Sequence, residues 1–136
     1  MKFKPYFRLI LLFVFIASIP VSIYSCSGGK SDTSDVSKIH IDLSEFTDDG
    51  KHITTPPEDG GYINYEFCIP ADEEHFKEVS SIDSTLGYDK IAKGRSGCSD
   101  KEWLCIGSSR QKNFKKVLLA LAKLSYIRKI TQTFWE

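Results

Sequence analysis

The hydrophobic positions of this chain follow three different spacings in turn, and each spacing predicts a different element. From Leu9 to Ile19 the run "LILLFVFIASI" carries no charge at all. It is shorter than the about 18 apolar residues a spanning helix needs, and Pro20, Ser22 and Ser25 follow it directly. Further on, Ile39, Ile41 and Leu43 alternate with Lys38, His40 and Asp42, a period of two that predicts a short half-buried strand. "TDDGK" and "TPPEDGG" then mark turns. Alternation returns in "YINYEFCIP" from Tyr62 and stops at Pro70. After it the spacing becomes helical: Asp72 is placed to cap "EEHFKEVSSI", with Phe76, Val79 and Ile82 as the apolar stripe. "LGYDKIAK" then predicts a strand, "GRSGCSD" a loop, "EWLCIG" a strand, "NFKKVLLALAKL" a helix and "YIRKITQTFW" a last strand.

The order from Tyr62 onward is therefore β-α-β-β-α-β. Its two halves resemble each other: Phe67, Cys68 and Ile69 match Leu104, Cys105 and Ile106, while Phe76, Val79 and Tyr88 match Phe114, Val117 and Tyr126. A twice-used strand-helix-strand unit predicts an α+β domain of the ferredoxin-like split βαβ kind, with an N-terminal strand and loop extension. Right-handed crossovers place its four strands, numbered as they appear, in the order 4-1-3-2 with both helices on one face. Ile63, Tyr65, Phe67, Ile69, Leu104, Ile106 and Ile130 are expected to face the helices. Tyr62, Asn64, Glu66, Cys68, Trp103, Cys105 and Trp135 are expected on the other side. The aromatic members of that second set, Tyr62, Trp103 and Trp135, are the candidate interaction face. Residues 38–60 are expected to cover it, the alternative being an open binding surface.

Charge changes the picture in two ways. The whole chain balances 18 basic against 18 acidic residues, but Lys2, Lys4 and Arg8 precede the apolar run, and residues 26–136 carry net −3. Within them, residues 26–89 carry net −11 and residues 90–136 net +8. Folding of one half against the other accounts for this division better than two separate charged faces do. Overall acidity argues against nucleic acid as a partner.

The three cations ahead of an uncharged run have the layout of a secretory signal. The positions that follow, Ile23, Tyr24, Ser25 and Cys26, resemble the lipobox of bacterial lipoproteins, with Tyr24 where a small residue is usual. The resemblance implies that residues 1–25 are a signal peptide and that Cys26 is the lipidated first residue of the mature chain, carrying diacylglycerol and often a further acyl group such as palmitate. It implies a bacterial cell membrane or outer membrane location, facing the periplasm or the cell exterior. "SGGKSDTSDVS" completes a flexible linker over residues 26–37, and residues 38–136 form one domain.

With Cys26 lipidated, Cys68, Cys98 and Cys105 are left for one disulfide and one thiol. Cys68 to Cys98 is favoured, with Cys98 to Cys105 as the alternative. His40, His52 and His75 stand at no metal-ligating or catalytic spacing from the cysteines, so no metal, cofactor or catalytic set is expected. Arg95, Arg110 and Lys112 lie near the start of the second helix and are candidates for holding an anion, the alternative being a solvated helix face. The functional expectation is a membrane-anchored envelope lipoprotein with a small binding or interaction domain, its candidate partners the membrane and an envelope protein. The alternative is a small envelope enzyme using a cysteine thiol.

Overall fold

The computed structural model describes residues 35–54 and 61–133, all of them within the unit Ser31–Glu136. The signal segment, Cys26 and Trp135 lie outside the described residues. The described chain is a mixed α+β domain: one five-stranded sheet with two helices packed on one of its faces.

The central strand β2 (Asn64–Pro70) ends at the proline, which has no N–H to continue a ladder. The chain turns through Asp72, whose carboxylate accepts from His75 N at 2.9 Å and caps α1 (Glu73–Ile82). Glu73 and Glu74 in the first turn suit the positive end of the helix. The edge strand β3 (Gly87–Asp89) stops well short of the expected "LGYDKIAK". The Asp89 carboxylate accepts from Ile91 N at 2.7 Å and Ala92 N at 2.8 Å, which bends the chain out of the sheet and leaves Ile91 90 % exposed. After a loop come β4 (Glu102–Ser108), α2 (Phe114–Ala122) and β5 (Ile130–Thr133).

Residues 38–43 do not form a full strand. Only β1 (Ile39–His40) is extended, because Asp42 caps a 3₁₀ turn over Leu43–Glu45 by accepting from Ser44 N at 2.9 Å. This short β1 is no separate extension: it pairs in parallel with β5 and becomes a fifth strand. The sheet order is β1-β5-β2-β4-β3, with every pair antiparallel except β1 with β5.

Register decides which side chains meet the helices. Phe67 pairs with Cys105, Cys68 with Leu104 and Ile69 with Trp103. Directly paired residues share a face. Tyr65, Phe67 and Ile69 therefore lie with Cys105 and Trp103 on the helix side, against Val79, Phe114, Leu118 and Leu121. Leu104 and Ile106 lie on the other side with Cys68. The expected assignment of β4 is thus reversed: "WLCI" is apolar at every position, so alternation could not select its phase, and pairing with β2 does.

Residues 38–54 also go elsewhere than expected. Phe46 packs on Phe114 at 5.4 Å between ring centroids, and Ile41 joins the same helix-side core. Gly50, with φ +78°, presses so closely on the Ser109 carbonyl that a Cβ would lie 1.6 Å from its oxygen. Ser109 Oγ donates to Gly50 O at 2.7 Å and accepts from Ile63 N at 2.9 Å.

A buried polar network closes the helix side. Tyr65 donates its hydroxyl to Asp83, which also accepts from Thr85 N at 2.9 Å and Thr85 Oγ1 at 2.7 Å. Gln111 Nε2 donates to the Tyr65 oxygen at 2.9 Å. Burial, and then the negative charge of Asp83, raise the Tyr65 phenol far above its usual range, so it stays a donor. Gly107 leaves the room: a Cβ there would lie 2.7 Å from the Tyr65 ring and 2.8 Å from Asp83 Oδ2.

Candidate functional site

The face of the sheet away from the helices is covered by the loop between β3 and β4. Glu66 stands at its centre, on the middle strand and in the same phase as Cys68. It is a carboxylate only 2 % exposed. Placing it there carries a desolvation cost that demands hydrogen-bond donors. The loop supplies one: Ser96 N donates to Glu66 Oε1 at 2.7 Å, and Ser96 Oγ donates to the Glu66 carbonyl at 3.2 Å. β5 supplies another, Thr133 Oγ1 donating to Oε2 at 3.2 Å. Gly94 makes the close approach possible, since at φ +56° a Cβ would lie 2.6 Å from Glu66 Oε1 and 2.7 Å from Leu104.

Two further ties fix the loop. Cys68 and Cys98 form a disulfide that closes a 30-residue separation, and Lys129 Nζ donates to the Arg95 carbonyl at 3.0 Å. The loop does not fill the face it crosses. A cleft of ≈ 330 Å³ remains, with Leu104, Ile106, Ala92 and Gly94 as its apolar wall and Glu66, Asp89, Arg95 and Thr133 as its polar groups. Hydrogen bonds from Ala92 N and then Ile91 N hold the Asp89 carboxyl below the usual carboxylate range. A second, smaller cleft of ≈ 190 Å³ is lined by Cys68, Ser96, Arg128 and Lys129. A pocket with an apolar wall and a few converging polar groups can orient a small amphipathic ligand.

The residues singled out from the sequence do not gather here as one group. Trp103 lies on the helix side of the sheet, stacked on Tyr88 at 4.9 Å and 12°. Tyr62 sits just before the other end of β2, under the Arg110 guanidinium at 4.6 Å. They form no common face with each other, because they occupy opposite ends of the sheet. Trp135 is outside the described residues.

The anion candidates separate too. Arg95 lines the larger cleft, to which neither Arg110 nor Lys112 contributes a wall. The start of α2 is met by protein: Phe114 N donates to the Asp48 carbonyl at 3.0 Å, and Lys115 faces the Asp48 carboxylate at 4.0 Å. That ion pair and Lys90 with Glu73 at 3.7 Å join the acidic first half of the domain to the basic second half.

Cys105 cannot serve as the partner of Cys98, since it points to the opposite side of the sheet from Cys68. Burial first, and Asp83 second, push its thiol up to about 12. His52 reaches Glu45 at 3.3 Å and His75 reaches Asp72 at 2.8 Å, and no group of three metal-ligating side chains occurs among the described residues. Glu66 is the residue that reading the sequence missed. Its one signal was an acid in the middle of an alternating strand, where charged residues are rare.

Comparison of the chain with protein-family models, with curated proteins and with solved structures gives no match.

Proposed function

We propose that this chain is a bacterial envelope lipoprotein, tethered through Cys26, whose domain binds a small ligand or a protein segment in the cleft over the non-helical sheet face. The tether rests on the basic start, the apolar run and the Ile23-Tyr24-Ser25-Cys26 sequence. Two acyl chains hold a protein on a bilayer far more firmly than one. No helix among the described residues is long and apolar enough to cross a membrane. The domain itself reads as ferredoxin-like: the order β5-β2-β4-β3 with α1 and α2 on one side supports that assignment, and β1 is an addition at its edge.

The observation that carries the binding reading is Glu66. A nearly inaccessible carboxylate in the middle strand, held by a loop N–H and bordering an apolar cleft, is a costly arrangement for a surface that only needs covering. The thiol-enzyme alternative draws no comparable support, because Cys105 is buried and protonated at neutral pH.

One experiment examines both halves. Ala92 is an exposed wall of the cleft, so Ala92→Trp fills it from the rim without entering the core. Cells expressing the parent, Cys26→Ser and Ala92→Trp proteins are labelled with a fatty acid, and envelope ligands co-purifying with each are compared. Label on the parent and not on Cys26→Ser is expected, as is loss of co-purifying ligand in Ala92→Trp at unchanged melting temperature. An unlabelled parent ends the tether, and ligand retained by Ala92→Trp ends the cleft.

A further inference from the structure

At the free edge of the sheet, away from the cleft, one cation sits in a setting of aromatic faces and a carboxylate. Lys90 Nζ lies 4.4 Å from the centroid of the Trp103 ring and 5.6 Å from that of Tyr88. The two rings are stacked, and Phe76 closes on Tyr88 at 4.3 Å from the α1 side. Glu73 Oε1 is 3.7 Å from the same ammonium and accepts from Tyr88 Oη at 3.4 Å. Ring faces bearing negative quadrupole together with a carboxylate are the parts from which proteins assemble sites for alkylammonium groups.

The resident cation is weakly held. Lys90 is the first residue beyond β3, its side chain remains 56 % exposed, and Glu73 is 69 % exposed. Exposed ion pairs and exposed cation–π contacts are individually weak, and the Lys90 head regains hydration on leaving. The platform is better fixed than its occupant: Trp103 lies on β4 paired with Ile69, and Phe76 is built into α1. All three residues of β3, Tyr88 included, are exposed at an edge of the sheet that no further strand among the described residues covers.

We infer that Glu73, Phe76, Tyr88 and Trp103 form a binding site for an alkylammonium group, the lysine side chain of a protein partner, and that Lys90 is its resident stand-in. The chain's own ammonium shows the chemistry the site accepts: a compact cation on a methylene stem. A partner lysine replaces it like for like, so binding is limited by competition with Lys90 and not by a misfit of the site. This site shares no wall with the cleft and is tested separately from it.

The test uses the full chain in detergent micelles and the indole N–H resonance of Trp103, assigned with Trp135→Phe. The probe is N-acetyl-lysinamide, whose one charge is the ε-ammonium. N-acetyl-norleucinamide is the uncharged control. A saturable shift of the Trp103 resonance is expected with the first and not with the second. Removing the intramolecular competitor in Lys90→Ala should tighten the apparent Kd about threefold or more. Lys90→Gln, which keeps a polar stem, should do the same. Adding Glu73→Gln to Lys90→Ala should weaken binding again. The inference is overturned by an absent or non-saturable shift in the dispersed spectra of both Lys90 variants, by an equal response to norleucinamide, or by indifference to Glu73→Gln.

Discussion

On one side of the sheet, Tyr65, Phe67 and Ile69 close against Val79, Phe114, Leu118 and Leu121, and every one of these side chains is inaccessible to solvent. The Tyr65 hydroxyl and the Asp83 carboxylate buried there are tied to Thr85 and Gln111, and the Ser80 hydroxyl of α1 is buried without a partner among the described residues. On the other side, the apolar cluster among the described residues is Cys68, Cys98, Leu104 and the fringe of Ile106. A loop, not a helix, covers it, and two clefts remain beneath. One face thus supplies most of the burial that holds the domain together. The other gives up packing for a carboxylate, a covalent tie and accessible space, the features on which the proposed binding reading rests.

Phe114→Ala breaks the helix side at the point where Phe46 and Tyr65 both meet the ring. A loss of about 3–5 kcal/mol is expected, as a fall in denaturant midpoint at constant slope. An effect under about 1 kcal/mol would mean that the residues 38–54 packed there can collapse into the space.

Breaking the loop side instead, by Cys68→Ser with Cys98→Ser, removes a cross-link over a separation of 30 residues. Chain-entropy reasoning gives a loss of about 3.6 kcal/mol. Proteolysis of the variant is expected to cut between residues 90 and 101 first, the rest of the domain remaining resistant. Cleavage that starts at α2 would show that the loop holds without its disulfide.

The smallest effect tests neither core nor cleft but the turn leading into α1. Hydrogen bonds from His75, its backbone N–H first, hold the Asp72 carboxyl below the usual carboxylate range. A folded pKa below the unfolded one gives stability that is present above about pH 4 and is lost as pH falls through the folded value. The melting temperature of Asp72→Ala should therefore fall below the parent's at neutral pH, and the gap should narrow in acid. A gap that is constant with pH would assign the effect to helix propensity alone.

What was legible in the sequence was local. Asp72 and the three-residue spacing of Phe76, Val79 and Ile82 give α1 its limits, and Pro70 gives β2 its end. The tie between Cys68 and Cys98 was reachable from the expected topology. Where the pattern is uniform it carries no phase, and "WLCI" misplaced Trp103, Leu104, Cys105 and Ile106 together. The likeness of "FCI" to "LCI" strengthened the error, since Cys68 and Cys105 stand on opposite faces. β3 ended early because the Asp89 side chain competes for the backbone N–H groups that follow it. Glu66 was missed because its donor, Ser96, is thirty positions away along the chain.

The pairing of β1 with β5 has a kinetic consequence. Ile39 meets Ile130 across almost the whole length of the domain, and β5 lies between β1 and the rest of the sheet. The segment around Ile39 has no strand to join until β5 has docked on β2. Non-local pairings of this kind form late because chain closure must come before the contacts that reward it. Ile41, which follows β1 directly and joins the helix-side core, is then expected among the last side chains to be buried.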